Sequence, residues 1–218
     1  MNPIPQTAFD EIQKEIERRS LQQNNYRLHS GKGRSQAFGL VNRRCLHPDF
    51  SRQCWIRPYL YKLLLDFGDT YVRPAGVDFN AITVNENYAA TKHRDKHNTG
   101  NSFLVAFGDY KGGALVIHEG DLSGVHDICF KPMVTDFSKV YHSVNEFDGK
   151  RFSLVYYTLV SKRPLPVEKP SVVFENGSYI FKRGDVKITN GLPHPLKGRK
   201  KKTIEMNKED GEFIVSFE

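Results

Sequence analysis

The sequence predicts a mainly β fold with flanking helices, built round a double-stranded β-helix (jelly-roll) core. The first observation behind this is a series of short β-rich runs from Val77 onward, DFNAITVNENY, SFLVAFGDY, GALVIHEG, VHDICF, KVYHSV and RFSLVYYTL, divided by Gly, Asn and Asp. Several strands of this size indicate an antiparallel sandwich or barrel, and the two sheets of a jelly roll leave a mouth where side chains from facing strands converge. The second is a pair of helical segments ahead of the strands. Over about 8–24, Phe9, Ile12, Ile16 and Leu21 recur near helical spacing with charges between them, as on a helix lying on a core. RPYLYKLLLDFG offers another helix, with Pro58 near its start and Gly68 at its end, where those residues are tolerated. The third is that 218 residues, 39% hydrophobic with 15 Phe and 10 Tyr, suffice for one substantial core without disulfide or metal staples.

After Thr158 the stretch SKRPLPVEKP reads as a linker or extended crossing segment. It divides the chain into a jelly-roll domain with N-terminal helices, 1–163, and a β-rich basic C-terminal extension, 164–218. Asn176-Gly177 and Asp210-Gly211 mark hairpin turns in the extension. Between them LKGRKKKT is a basic run of a kind that is either a solvated loop or a contact to phosphate. There is no internal repeat or low-complexity tract.

Composition removes several classes. A 26% charged fraction of mixed sign argues against wholesale disorder. Cys45, Cys54 and Cys129 form an odd set without CxxC spacing, which suggests neither a disulfide framework nor a thiolate zinc site and fits a reducing compartment. The polar start MNPIPQTAFDEIQKEIERRS has no apolar signal region, and no run of about 18 apolar residues occurs. The expectation is an intracellular protein, nuclear or cytoplasmic, with no membrane span. Lys plus Arg exceed Asp plus Glu by 32 − 25 = 7, and the pI is near 9.2. Such a charge suits a polyanionic partner or plain solubility alike, so it does not decide function.

The chemistry-bearing residues do more. His93 and Asp95, at i and i+2, project from one face of an extended backbone and can share an ion. A third ligand, His142, lies on a later β-rich run, and Arg151 follows it nine residues on. Two His and one carboxylate on one face of Fe(II) leave open positions for a bidentate co-substrate and O2. The forked guanidinium of Arg151 suits the far carboxylate of 2-oxoglutarate. His118 and His126 also lie in β-rich runs, but neither has a suitably placed arginine downstream. His118 is expected near the site without holding the ion, and His126, beside Asp127, on an exposed loop. Period-two spacing puts Arg151, Ser153, Val155 and Tyr157 on one strand face, as a common pocket requires.

HRDKHN at 93–98 resembles the iron-site motif of the TET/JBP nucleic-acid oxygenases, and RFSLVYY at 151–157 resembles their strand for 2-oxoglutarate and the base. The likeness covers about 79–158. GDYKGGALVI, within that span, resembles the glycine-rich hairpin of smaller relatives in protists and phages. The resemblance implies that His93 and Asp95 bind iron, that Arg151 and Ser153 hold the co-substrate, that His97 and Asn98 lie against the target base, and that Tyr157 stacks on it. It further implies an Fe(II)/2-oxoglutarate-dependent dioxygenase that uses O2, with ascorbate as an auxiliary reductant. Its action would be on the methyl group of a modified pyrimidine, 5-methylcytosine in DNA first, giving 5-hydroxymethylcytosine or a more oxidised product. The expected partner is nucleic acid, DNA ahead of RNA.

The chain lacks the cysteine-rich zinc region and long insertion of the animal enzymes, so their sequence-context preference and handling of double strands do not carry over. Other readings are a protein or small-molecule hydroxylase on the same scaffold, a catalytically silent base-reading module, and an enzyme that moves a vitamin C fragment onto the methyl carbon, as an algal relative does. Plain structural roles also exist: His97 capping a turn, Asn98 in an Asx turn before Thr99-Gly100, and Tyr157 as a core aromatic. Asn85 and Tyr88 are further candidates for the pocket wall, and Arg34 for a phosphate or the co-substrate.

Overall fold

The computed structural model describes residues 1–22, 31–42, 48–161, 163–166, 169–188, 204–206 and 213–215. After one 3-10 turn at Gln6–Ala8, helix α1 (Asp10–Arg18) turns Ile12 and Ile16 inward, and Phe9 and Leu21 on either side are buried with them. These are the apolar positions whose spacing predicted the helix. Asp10 and Glu11 in its first turn and Arg18 in its last oppose the helix dipole at both ends. Strand β1 (Gly31–Val41) follows, then the short β2 (Asp49–Phe50), α2 (Gln53–Ile56) and α3 (Pro58–Phe67). Pro58 occupies the first turn of α3, where its missing N–H has no helical partner to lose.

Gly68 does not stop the helical path. Its backbone stays at φ −60°, ψ −44°, and the chain continues through a π-type turn at Gly68–Val72 and a 3-10 turn at Arg73–Ala75. The stop is Gly76, in the left-handed region at φ +76°. Glycine at 68 serves packing instead: a Cβ there would lie 2.3 Å from the Phe79 ring.

The remaining strands are β3 (Ala81–Ala90), β4 (Asn98–Gly112), β5 (Leu115–Ile117), β6 (Gly124–His126), β7 (Met133–Thr135), β8 (His142–Val144) and β9 (Phe147–Leu159). They form a large antiparallel sheet in the order β2-β1-β3-β9-β4-β7 and a smaller one in the order β6-β5-β8. An isolated antiparallel bridge between His93 and His142 adds one more rung beyond β8. The chain therefore alternates between the sheets as a jelly roll does, and the expected core is what forms. Strands β1, β2 and β7 were not among the runs read as strands from the sequence. β1 is interrupted by glycines, and β2 and β7 are too short to show a period.

Register separates two interiors. On β9, Phe152, Leu154 and Tyr156 face the helices, opposite Glu86, Val84 and Ile82 of β3 and Phe107, Val105 and Phe103 of β4. Phe9 stacks on Phe107 at 4.7 Å between centroids and meets Phe67 at 5.0 Å, while the buried Tyr156 hydroxyl donates to the Leu64 carbonyl at 2.7 Å. Between the sheets lies a second, smaller cluster of Leu104, Ala106, Leu115, Ile117, Ile128 and Phe137. The odd-numbered residues of β9 face the same interior.

In the C-terminal segment β10 (Pro170–Glu175), β11 (Ser178–Arg183) and β12 (Val186–Ile188) form a meander. Its first turn has Asn176 at φ 49° and Gly177 at φ 76°, the positive pair that an Asn-Gly hairpin uses. Val172, Phe181 and Ile188 join the helix-side core, and Tyr179 stacks on Tyr59 of α3 at 4.6 Å. Strands β13 (Ile204–Met206) and β14 (Phe213–Val215) pair with each other. The basic run 196–203, the turn expected at Asp210-Gly211 and Cys45 lie outside the described residues. Cys54 and Cys129 are free thiols, and burial pushes that of Cys54 up to about 12. Among the described residues no helix is long and apolar enough to cross a membrane.

Because Phe9 ties α1 to both α3 and the large sheet, Phe9→Ala should lower the free energy of unfolding by about 3–5 kcal/mol, the usual cost of emptying a buried aromatic site. Urea denaturation followed by circular dichroism measures this, and a loss below about 1 kcal/mol would show that α1 is not part of the cooperative core.

Candidate active site

His93 and His142 face each other through reciprocal backbone hydrogen bonds, each N–H donating to the other's carbonyl at 2.9 Å. Their rings consequently stand 4.3 Å apart between centroids. Asp95, two residues along, lies on the same side, where its Oδ1 is 3.5 Å from His93 Nε2. One donor atom from each of His93, Asp95 and His142 falls within 4.8 Å of the others, close enough to hold a single ion.

The imidazoles are set up as ligands. His93 Nδ1 is 2.7 Å from the Thr91 carbonyl and His142 Nδ1 is 3.2 Å from the Val140 carbonyl. A carbonyl only accepts, so Nδ1 carries the proton in each ring and Nε2 keeps its lone pair, the arrangement that orients metal-binding histidines. Burial holds His142 below the ordinary imidazole range, against a smaller opposing pull from Asp95, and so favours the neutral form a metal requires. Phe137, which sequence reasoning missed, braces two ligands. Its carbonyl accepts from Asp95 N–H at 3.0 Å and its ring packs on His142 at 4.7 Å.

These side chains line a cavity of about 380 Å³ that also takes in His97, Asn98, Arg151, Ser153 and Tyr157. All the residues singled out by spacing and motif are thus brought together, and Asn85 and Tyr88 line the same wall. Arg34 does not: it pairs with Glu86 at 3.3 Å on β1 and β3. His118 projects outward and meets Ser143 Oγ at 2.9 Å, one residue from His142 but outside the cavity. His126 belongs to β6 and is half-buried, with Nε2 against the Leu122 carbonyl, where an exposed loop had been expected.

Arg151 is the electrostatic oddity of the cavity. It is 1% exposed, and its Nε and Nη2 are buried without a hydrogen-bond partner. No carboxylate is ion-paired with it among the described residues; Tyr110 and Phe147 flank the guanidinium at 5.5 and 5.6 Å. Burial lowers its pKa, yet a guanidinium keeps its proton at neutral pH, so the wall holds a positive charge that needs an anion. The fit is tight. A Cβ on Gly113, which sits at φ +66°, would come within 2.8 Å of Arg151 Cδ and Nε, and Gly108 lies opposite Arg151 in the β4–β9 register. Gly113, the second glycine of YKGG, read only as part of a hairpin, is what admits the arginine.

Asn98 has a fixed orientation. Its Nδ2 donates to Asp95 Oδ2 at 3.2 Å and its N–H to the Asp95 carbonyl at 3.0 Å. The turn that closes the ligand loop and the positioning of the carboxylate are thus one device. His97 is exposed at the cavity wall, and its carbonyl accepts from Val160 N–H at 2.9 Å. Tyr157 is largely buried, with its hydroxyl 3.4 Å from Thr83 Oγ1.

No protein-family model matches this sequence, and no curated protein matches it either. Among solved structures the chain is similar to NgTET1 in complex with 5mC DNA, at 14% identity and a TM-score of 0.48 over 72% of this chain and 69% of that one. It is also similar to a prolyl-4-hydroxylase of Pseudomonas putida, at 15% identity and a TM-score of 0.44 over 72% and 89%. Neither likeness bears on what the site does.

Two outcomes test the site. His93→Ala, Asp95→Ala and His142→Ala should each abolish tight Fe(II) or Mn(II) binding in a metal titration while leaving the thermal transition cooperative; His118→Ala should bind metal as the wild type does. Arg151→Met should raise the stability of the ligand-free protein by about 1–3 kcal/mol, since it removes buried donors that have no partner. The same change should erase any stabilisation by 2-oxoglutarate in a thermal-shift assay, and a destabilised Arg151→Met would mean that the guanidinium is already satisfied.

Proposed function

We propose that this chain is an Fe(II)- and 2-oxoglutarate-dependent dioxygenase that oxidises the methyl group of 5-methylcytosine in DNA to 5-hydroxymethylcytosine, with further oxidation open to the same site. The observation that carries the reading is a His-Asp-His ligand set and a buried guanidinium without a counter-ion in the walls of one cavity. Fe(II), once bound, supplies with 2-oxoglutarate and O2 the oxidising power for a methyl C–H bond. His93, Asp95 and His142 would hold the ion, and three protein ligands would leave positions for the co-substrate and O2. Arg151 receives the distal carboxylate, with Ser153 beside it. Leu104, Leu115, Val144 and Val155 give the same cavity an apolar stretch of wall.

Asn98 offers its side-chain amide to the edge of a base. One Nδ2 hydrogen goes to the Asp95 carboxylate, which leaves the amide oxygen and the second Nδ2 hydrogen to read a base edge. The oxygen matches the exocyclic amine of cytosine. Tyr157 supplies an aromatic wall, and flipping a base out of a duplex, at a few kcal/mol, is offset in part by stacking worth about 1–3 kcal/mol. The net charge of +7 and the exposed Lys96 and His97 on the cavity wall suit a phosphate backbone.

Mass spectrometry of nucleosides after incubation with methylated and unmethylated polynucleotides, Fe(II) and 2-oxoglutarate tests this directly. The expected products are 5-hydroxymethylcytosine and succinate in step, from methylated DNA only. Asn98→Ala and Tyr157→Ala should each lower turnover about tenfold or more, Tyr157→Ala leaving the salt dependence of DNA binding unchanged. Salt-independent binding together with full activity of both variants would overturn the nucleic-acid reading and leave a protein or small-molecule hydroxylase in its place.

A further inference from the structure

We infer that Asn85 is a direct hydrogen-bond donor to the co-substrate carboxylate beside Arg151, and that Ser153 acts by turning Asn85 toward it; this rests on the dioxygenase reading of the site. Asn85 on β3 lies directly opposite Ser153 on β9, with Nδ2 3.0 Å from Ser153 Oγ. They are 8% and 3% exposed, and both line the cavity that Arg151 lines. As the amide is oriented, Asn85 Oδ1 is buried without a partner, and so are Arg151 Nε and Nη2 two residues along from Ser153. Three such atoms on two adjoining strands are not what a finished wall holds, since buried polar atoms are nearly always paired.

The pattern is resolved by one change that costs no space. An asparagine amide has nearly the same shape when turned by 180°, and its oxygen and nitrogen are assigned from the network they serve. In the turned orientation the Ser153 hydroxyl donates to Oδ1, and Nδ2 is the atom left without a partner in the wall. The wall then offers donors only: two guanidinium nitrogens and one amide. A carboxylate, which accepts only and has about four lone-pair sites, satisfies all of them together. In the original orientation the anion would instead meet Oδ1, an acceptor against an acceptor. The turned network also spends the single Ser153 proton on Asn85. Ser153 is therefore a positioning residue, and Asn85 is the one that touches the ligand.

The test is calorimetric titration of 2-oxoglutarate into the full chain loaded with Mn(II), which occupies the ligand set without turnover. The wild type should bind. Asn85→Asp, which places a carboxylate against a carboxylate, should weaken binding about thirtyfold or more, and Asn85→Ala about tenfold. Mn(II) affinity measured before 2-oxoglutarate is added should stay within about twofold of wild type in both, a readout that general damage would move. Ser153→Ala should cost less than Asn85→Ala, and the double variant should be no weaker than Asn85→Ala alone. Should Asn85→Asp fail to melt cooperatively, Asn85→Ala decides. Wild-type affinity in Asn85→Ala, or a larger loss in Ser153→Ala, overturns the assignment and leaves the dioxygenase reading standing. Failure of the Mn(II)-loaded wild type to bind 2-oxoglutarate overturns that reading and this inference with it.

Discussion

The paired backbone hydrogen bonds between His93 and His142 close the jelly roll at the end where the chemistry gathers, and each runs 2.9 Å. Two histidines 49 positions apart are held across a sheet edge by main chain rather than by their own side chains. The consequence is geometric: with those backbones locked, the rings have to stand together, and Asp95, two residues from His93, lies on the same side. Asp95 N–H then bonds to Phe137 and its carboxylate holds Asn98, whose first residue position opens β4. One bridge thus sets three side chains able to hold an ion, the position of Asn98 and the start of the longest strand among the described residues.

The large sheet bears two opposite loads. Its helix-facing side buries Phe103, Phe107, Phe152, Leu154 and Tyr156 at 2% exposure or less, packed under α1 and α3. Its cavity side carries Asn85, Arg151 and Ser153, buried and partly unsatisfied. Burying an unpaired guanidinium costs several kcal/mol, and the aromatic layer one residue away on the same strand offsets that cost. Alternation along β9 is what allows both, because period two sends neighbouring residues to different environments. Polar atoms left without partners are a cost that any ligand able to pair with them would relieve, which would couple its binding to the stability of the protein.

Glycine does the steric part of the same work. Gly113 makes room for the Arg151 side chain, and Gly68 lets the Phe79 ring close on α3. Both were visible in the sequence as punctuation, one in a hairpin and one at a helix end. Their role is close approach, and Gly76 is the residue that ends the helical path.

Much of this was legible beforehand, because it rests on local periodicity. The apolar spacing of Phe9, Ile12, Ile16 and Leu21, the alternation in RFSLVYYTL, the Asn-Gly turn and the HxD pair each follow from how a backbone of given period orients consecutive side chains. That the sheets are antiparallel and that Arg151, Ser153 and Tyr157 share a face belong to the same level. What tertiary structure alone decided is which distant groups meet. It chose His142 over His118, placed Phe137 behind the ligands, paired Arg34 with Glu86 away from the cavity and set Asn85 across from Ser153. Strands β1, β2 and β7 were hidden for the same reason. Glycine-broken or two- to three-residue segments carry no period of their own and become strands only when a neighbour offers hydrogen bonds. Cross-strand register and sheet order are properties of pairs of segments, and a single sequence specifies each segment's faces without saying which face it will meet.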